Sequence, residues 1–255
     1  MQIQSSDRSF QYGDAIFSTV RIRAGQPQLW SLHWQRLCHS MQRLGFAALS
    51  ETTVLQQVLA SISAPEQVLK VLISRGEGAR GYGTLGISVP QLYCWTAPLP
   101  DYQQARMHGL RLGLAQMQLA QQPLLAGIKH CSRLETVLLK REAEQSGFDD
   151  LLVCDQQDFL IEATAANLLL WRDGRWWTPE LQQAGVAGVM RQLLLDTRLA
   201  TTTLLPVTEL VNVESMALCN ALSGIVPVFS LTGRPLDLNP AIQLQQQVDV
   251  LLQDR

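Results

Sequence analysis

Lys129 closes an apolar run, Leu124-Leu125-Ala126-Gly127-Ile128-Lys129, and is followed by His130. Apolar neighbours desolvate an ammonium and favour the neutral amine, which is the form that attacks a carbonyl. An ordinary lysine at a strand end fits the same pattern. Glu162 follows the apolar pair Leu160-Ile161 and precedes small residues, Ala163-Thr164-Ala165-Ala166. A carboxylate buried there needs a charged or hydrogen-bonded partner, and a protonated aromatic nitrogen would be one. The plainer alternative is an outward-facing place on a two-sided strand. In Gly185-Val186-Ala187-Gly188-Val189-Met190-Arg191, glycines precede an expected helix whose first backbone N–H groups are free to bind an anion. Arg36, in His33-Trp34-Gln35-Arg36-Leu37, offers a planar bidentate donor for the same purpose, or simply a solvated helix face.

These residues need elements to hold them. Ala15 to Arg23 is rich in β-branched and aromatic residues and turns at Ala24-Gly25-Gln26-Pro27 toward Gln28-Leu29-Trp30. From Ser31, Trp34, Leu37, Met41 and Leu44 recur at helical steps and Gly45 supplies the stop, which places Arg36 one position off the apolar stripe. A second amphipathic helix, read from Val54, Leu55, Val58, Leu59 and Ile62, leads into a buried strand over 68–73. Four glycines between Arg75 and Gly83 exclude a regular element there. A strand is expected over 87–95, and Ala97-Pro98-Leu99-Pro100-Asp101 is the best interdomain connection, with the boundary near residue 105.

Beyond it, Leu110, Leu112 and Leu114 alternate as in a half-buried strand. Ser132-Arg133-Leu134-Glu135 has capping-box spacing and opens a helix with a Leu134, Val137, Leu138 stripe, so Lys129 sits just ahead of a helix. Strands are expected over 151–154, 159–163 and 168–171, with Glu162 inside the middle one, then a helix from Gly188 through Leu199, a strand over 221–229, and a last helix opened by Asn239-Pro240.

With 255 residues, 47% of them hydrophobic, the chain has ample core material. Charged residues make up only 16% and the net charge is -2, so no global field favours nucleic acid or an anionic membrane, and neither partner is expected. The N-terminus lacks a basic start followed by an apolar run, and no stretch approaches the roughly 18 apolar residues of a spanning helix. A soluble, cytoplasmic protein is expected. Five cysteines, Cys38, Cys94, Cys131, Cys154 and Cys219, are odd in number and scattered, which supports neither a disulfide framework nor a zinc site.

The four features occur together and in order, and the chain resembles the fold-type IV pyridoxal-phosphate enzymes, the group of branched-chain aminotransferases, D-amino-acid aminotransferases and aminodeoxychorismate lyases. The resemblance runs from Ser6-Asp7-Arg8 with Tyr12-Gly13-Asp14 to Asn220-Ala221-Leu222 with Pro227-Val228. It is greatest toward the lyase branch, through Ile73-Ser74-Arg75-Gly76 with Arg80-Gly81-Tyr82, Gly127-Ile128-Lys129-His130 with Arg133-Leu134-Glu135, Ala165-Ala166-Asn167-Leu168, and Gly188-Val189-Met190-Arg191-Gln192.

The resemblance implies a two-domain α/β (α+β) fold, 1–105 and 106–255, with pyridoxal 5'-phosphate in the interdomain cleft and a homodimeric assembly. It implies that Lys129 forms the Schiff base, that Glu162 pairs with the pyridine nitrogen and that Arg36 binds the phosphate, with backbone donors near Val189, Met190, Asn220 and Ala221 completing the phosphate cup. The implied substrate is 4-amino-4-deoxychorismate, and Arg75 and Arg80 are candidates for its carboxylates or, equally, exposed loop arginines. Aminotransferases of the group commonly carry a tyrosine five residues after the lysine, where this chain has Leu134, and threonines under the phosphate that are missing here. The alternatives are a branched-chain or D-amino-acid aminotransferase of the same fold and a non-catalytic ligand-binding protein that retains it.

Overall fold

The computed structural model describes residues 3–78, 81–87 and 89–253. Two compact units emerge, Met1–Leu99 with Ile128–Arg133, and Pro100–Gly127 with Leu134–Arg255. The change of unit thus falls inside the proline-rich connection, ahead of the expected position near 105. The segment carrying Lys129 joins the first unit, although the boundary near 105 would place it in the second.

The first unit comprises α1 (Arg8–Tyr12), β1 (Ala15–Arg23), β2 (Gln26–Pro27), α2 (Trp30–Leu44), α3 (Glu51–Ala60), β3 (Gln67–Ser74) and β4 (Gln91–Ala97). Its antiparallel sheet has the order β2-β1-β3-β4. Ile16, Val20 and Ile22 of β1 and Leu69, Val71 and Ile73 of β3 form one buried cluster with Leu37 and Met41 of α2 and Val54 and Val58 of α3. Alternating burial in β1 meets helical-period burial in α2, so one face of the sheet is closed by α2 and α3. The opposite face carries Phe17, Thr19, Lys70 and Trp95, since Thr19 lies across from Lys70 and Lys70 across from Trp95. β4 begins later than the expected 87, because Ile87 belongs to the glycine-rich loop, where Gly76 and Gly81 hold φ of 111° and 96°.

The second unit comprises α4 (Gln103–His108), β5 (Leu110–Leu114), α5 (Leu134–Ser146), β6 (Asp150–Cys154), β7 (Leu160–Ala163), β8 (Asn167–Arg172), β9 (Arg175–Pro179), α6 (Val189–Asp196), β10 (Thr201–Thr203), β11 (Ser215–Asn220), β12 (Gly224–Leu231), β13 (Arg234–Pro235) and α7 (Asn239–Leu251). Its sheet runs β10-β9-β8-β11-β12-β5-β6-β7, and β13 pairs with β12. The sheet curls until its ends meet: the Leu160 N–H donates to the Leu205 carbonyl, just past β10, at 2.8 Å. Leu112, Leu152, Leu168, Met216, Leu218 and Val228 fill the resulting core.

Three expectations here need correction. The strand expected over 221–229 starts later, as β12 from Gly224, because 221–223 form the turn that follows β11 and is organised by Asn220. In α5 the stripe expected to be buried faces outward, with Leu134 79%, Val137 61% and Leu138 50% exposed, while Leu139 and Ala143 are buried. The capping box ahead of α5 is replaced by other partners: Ser132 Oγ donates to the Tyr12 carbonyl, and Glu135 accepts from the Ala120 N–H.

Candidate active site

In the first unit, residues 128–131 run beside β1. The Phe17 N–H donates to the Lys129 carbonyl at 2.9 Å, and the Cys131 N–H donates to the Ala15 carbonyl at 2.8 Å. On the other side of this segment stands Arg133. Its Nε donates to the His130 carbonyl at 2.8 Å and its Nη2 to the Ile128 carbonyl at 2.6 Å. One guanidinium therefore takes the place of a neighbouring strand and fixes the carbonyls of the two residues on either side of Lys129.

The Lys129 side chain crosses the open face of the sheet, with Nζ 4.8 Å from the centre of the Phe17 ring. Lys70 reaches the same ring at 4.3 Å and the Trp95 ring at 5.1 Å. Two ammonium groups on one aromatic platform favour a ligand that is flat and anionic. The sequence reading missed Lys70, because a lysine inside an otherwise apolar strand is visible as a site residue only once the strand partners are known. His130 Nδ1 is buried with no hydrogen-bond partner among the described residues. Burial first, and then the charge of Arg133, push its pKa down to about 4, so the ring is neutral at pH 7.

Arg36 lies on the helix side of the sheet. Its Nη2 donates to Ser18 Oγ at 2.5 Å, and burial, followed by the charge of Arg133, lowers its pKa to about 10, leaving it cationic. A buried guanidinium within the field of a second one is a setting that an anion such as a phosphate relieves. Arg75 has a different role from the expected one. Its Nε donates to Asp14 at 2.7 Å, Nη1 to the Gly45 carbonyl at 2.9 Å and Nη2 to the Leu44 carbonyl at 2.8 Å. It caps the C-terminus of α2 and stacks on Phe46, at 4.2 Å from the ring centre. All three guanidinium nitrogens thus work within the fold, which corrects its assignment to a substrate carboxylate. Arg80 lies outside the described residues.

In the second unit, Glu162 on β7 accepts a 2.9 Å hydrogen bond at Oε2 from the Val186 N–H. Gly185, at φ +83°, makes this approach possible, since a Cβ there would stand 2.6 Å from Ile161 Cγ2 and 3.3 Å from Glu162 Oε2. The segment continues beside Gly127: its N–H donates to the Gly185 carbonyl at 2.9 Å, and the Ala187 N–H returns to the Gly127 carbonyl at 3.0 Å. Asn167 Nδ2 donates to the Val186 carbonyl at 2.8 Å, and its Oδ1 would lie 2.0 Å from any Cβ on Gly188. Gly188 precedes α6 with no side-chain cap, so the N–H groups at Val189 and Met190 open the helix without competition from a capping side chain. At the end of β11, Asn220 Oδ1 accepts from the Leu222 and Ser223 N–H groups, each at 2.9 Å, while Nδ2 reaches the Ala165 carbonyl at 3.4 Å. Taken unit by unit, the first holds an amine and a buried guanidinium, and the second a carboxylate with one N–H partner in place and an uncapped helix start, each a group of a kind that a phosphorylated heteroaromatic aldehyde can use. Among the described residues no cluster of His, Cys, Asp or Glu could hold a metal ion, and no helix is long and apolar enough to cross a membrane.

The model of the family described as amino-transferase class IV matches residues 15–231. The chain belongs to this family. Among class IV members, the aminodeoxychorismate lyase of Vibrio harveyi is 36% identical over 237 residues, covering 89% of this chain and 86% of the relative. The crystal structure of 4-amino-4-deoxychorismate lyase from Pseudomonas aeruginosa superposes with a TM-score of 0.91 at 34% identity, over 100% of this chain and 95% of that one. A hypothetical aminotransferase from Mycobacterium tuberculosis, solved in a PLP-bound form, shares the class IV fold with a TM-score of 0.85 at 22% identity, over 100% and 95% of the two chains.

Proposed function

We propose that the chain is a pyridoxal-phosphate-dependent carbon–oxygen lyase that converts 4-amino-4-deoxychorismate into p-aminobenzoate and pyruvate, supplying folate biosynthesis. The observation that carries this reading is the 36% identity to the Vibrio harveyi lyase across 89% of the chain. Lys129, Glu162 and the uncapped start of α6 all fall within the matched family region.

When bound, pyridoxal phosphate supplies an aldehyde for Lys129 and an electron sink for the reaction. Lys129 Nζ would hold the cofactor covalently and, when free, would take the proton from the ring carbon bearing the substrate's nitrogen. Its position is set by Arg133 and by the Phe17 N–H, which together leave the 128–131 backbone little freedom. The Glu162 carboxylate would hold a proton on the pyridine nitrogen. The Val186 N–H orients the carboxylate for that task. Arg36 and the backbone donors at Val189, Met190, Asn220 and Ala221 take the phosphate. Lys70, on the platform it shares with Lys129, replaces Arg75 as the choice for a substrate carboxylate. The carbon–oxygen bond to the enolpyruvyl group then breaks, and aromatisation of the ring supplies much of the driving force.

The apolar stripe of α5 is covered by a second copy in a homodimer, and the five free cysteines suit a reducing, cytoplasmic setting. The function is tested by supplying 4-amino-4-deoxychorismate with no keto acid and following both products. Equal amounts of p-aminobenzoate and pyruvate over many turnovers are expected. Transfer from branched-chain or D-amino acids to 2-oxoglutarate, with no p-aminobenzoate formed, would establish an aminotransferase instead.

A further inference from the structure

Behind Arg36 lies a polar group that the proposed reaction does not use. Ser18 and His33 are each 0% exposed, and they meet between β1 and α2 within an otherwise apolar cluster. Ser18 Oγ stands 2.5 Å from Arg36 Nη2 and 2.6 Å from His33 Nδ1. Arginine can only donate, so the Ser18 oxygen accepts from Arg36. Its hydroxyl hydrogen then has two possible arrangements. If it points to His33 Nδ1, the imidazole carries its proton on Nε2 and one buried donor, Nε2–H, is left without a partner among the described residues. If His33 instead donates from Nδ1, both the serine hydrogen and a bare Nε2 are stranded. Each stranded buried group costs about 1–3 kcal/mol, so the first arrangement prevails. Burial, reinforced by the charges of Arg36 and Lys129, holds the imidazole neutral.

We propose that Ser18 and His33 are positioning residues for Arg36: a relay running Arg36 to Ser18 to His33, with His33 locked as the Nε2–H tautomer, fixes the guanidinium in the orientation that takes a phosphate monoester. This rests on the reading of Arg36 as a phosphate ligand. His33 and Arg36, three residues apart on α2, both face Ser18, so neither can swing without breaking the chain of bonds. The hydroxyl is needed as acceptor and donor at once, a demand that Thr meets and Ala cannot.

The test titrates the apoprotein and its variants with pyridoxal phosphate and, separately, with pyridoxal, which lacks the phosphate. Ser18→Ala and His33→Leu are expected to weaken pyridoxal phosphate binding about tenfold while pyridoxal binding stays within about twofold, and Ser18→Thr is expected to bind both like the parent. In the parent apoprotein at pH 7, nitrogen-15 NMR of the imidazoles should give His33 the Nε2–H pattern. Equal weakening of both ligands in Ser18→Ala would show a merely structural role and overturn the proposal, as would a His33 proton on Nδ1. If Arg36→Ala weakens pyridoxal phosphate selectively but Ser18→Ala does not, the relay fails while the phosphate assignment stands. If Arg36→Ala leaves pyridoxal phosphate binding unchanged, the assignment itself falls and takes the relay with it.

Discussion

Phe17 carries two ammonium groups on one ring, and only their chemistry tells them apart. Borohydride reduction of the protein loaded with pyridoxal phosphate is expected to leave the label on the peptide containing Lys129; recovery on Lys70 would exchange their roles. Glu162→Gln keeps an acceptor for the Val186 N–H, so the fold should hold, but a neutral amide cannot keep the pyridine nitrogen protonated. Turnover should fall on the order of a hundredfold, with cofactor still bound; full activity would mean that the carboxylate only braces the 185–187 segment. His130, together with the buried His33, contributes to the pH dependence. Its folded pKa of about 4 lies below the ordinary 6.5, so the folded state binds fewer protons between these values. The stability it contributes is fully present above pH 6.5 and is lost as pH falls toward 4. Melting temperature should decline across that window, and His130→Gln should flatten the decline; an unchanged slope would place the acid sensitivity elsewhere. Lys129 and Glu162 were visible in the sequence as candidates because each closes an apolar run. Ser18 and His33 were not, since two unremarkable polar residues become a pair only when β1 and α2 are docked. Arg75 misled because a cap on the helix that ends at Leu44 cannot be read from a loop that starts thirty-one residues later.

The element that presents Lys129 owes its shape to one side chain. Arg133→Leu removes both donors from the carbonyls at 128 and 130. A loss of about 1–3 kcal/mol is expected, with faster amide exchange at Phe17 and Cys131, the two N–H groups that join this segment to β1. Unchanged exchange there would show that β1 alone suffices. At this scale the sequence carried most of the elements, because long apolar runs such as β3 and clean helical stripes such as α2 are set by local periodicity. Its errors were of strand bounds, capping and burial. The α5 stripe has the right spacing for a core face, yet spacing cannot say whether that face meets the same chain.

For the whole molecule, that stripe predicts a homodimer. Val137→Glu should shift the mass measured by light scattering from two chains toward one, because a carboxylate in an apolar contact is left unpaired. A dimer of unaltered strength would move the interface away from α5. The division into two units, by contrast, could be read from the prolines at 98 and 100, while the return of 128–133 to the first unit could not, since that pairing joins residues more than a hundred positions apart.

That return has a consequence for anyone who tries to take the molecule apart. The hexapeptide Ile128–Arg133 behaves as a strand lent back to the first unit by the chain of the second, and no single cut separates the halves intact. A fragment ending at Leu99 would leave the Phe17 N–H and the Ala15 carbonyl on an open edge, ready to recruit a strand from any neighbour. The segment that carries Lys129, the proposed Schiff-base residue, is thus also the seal on the sheet that displays it, so a split version would lose that lysine and its solubility in the same stroke.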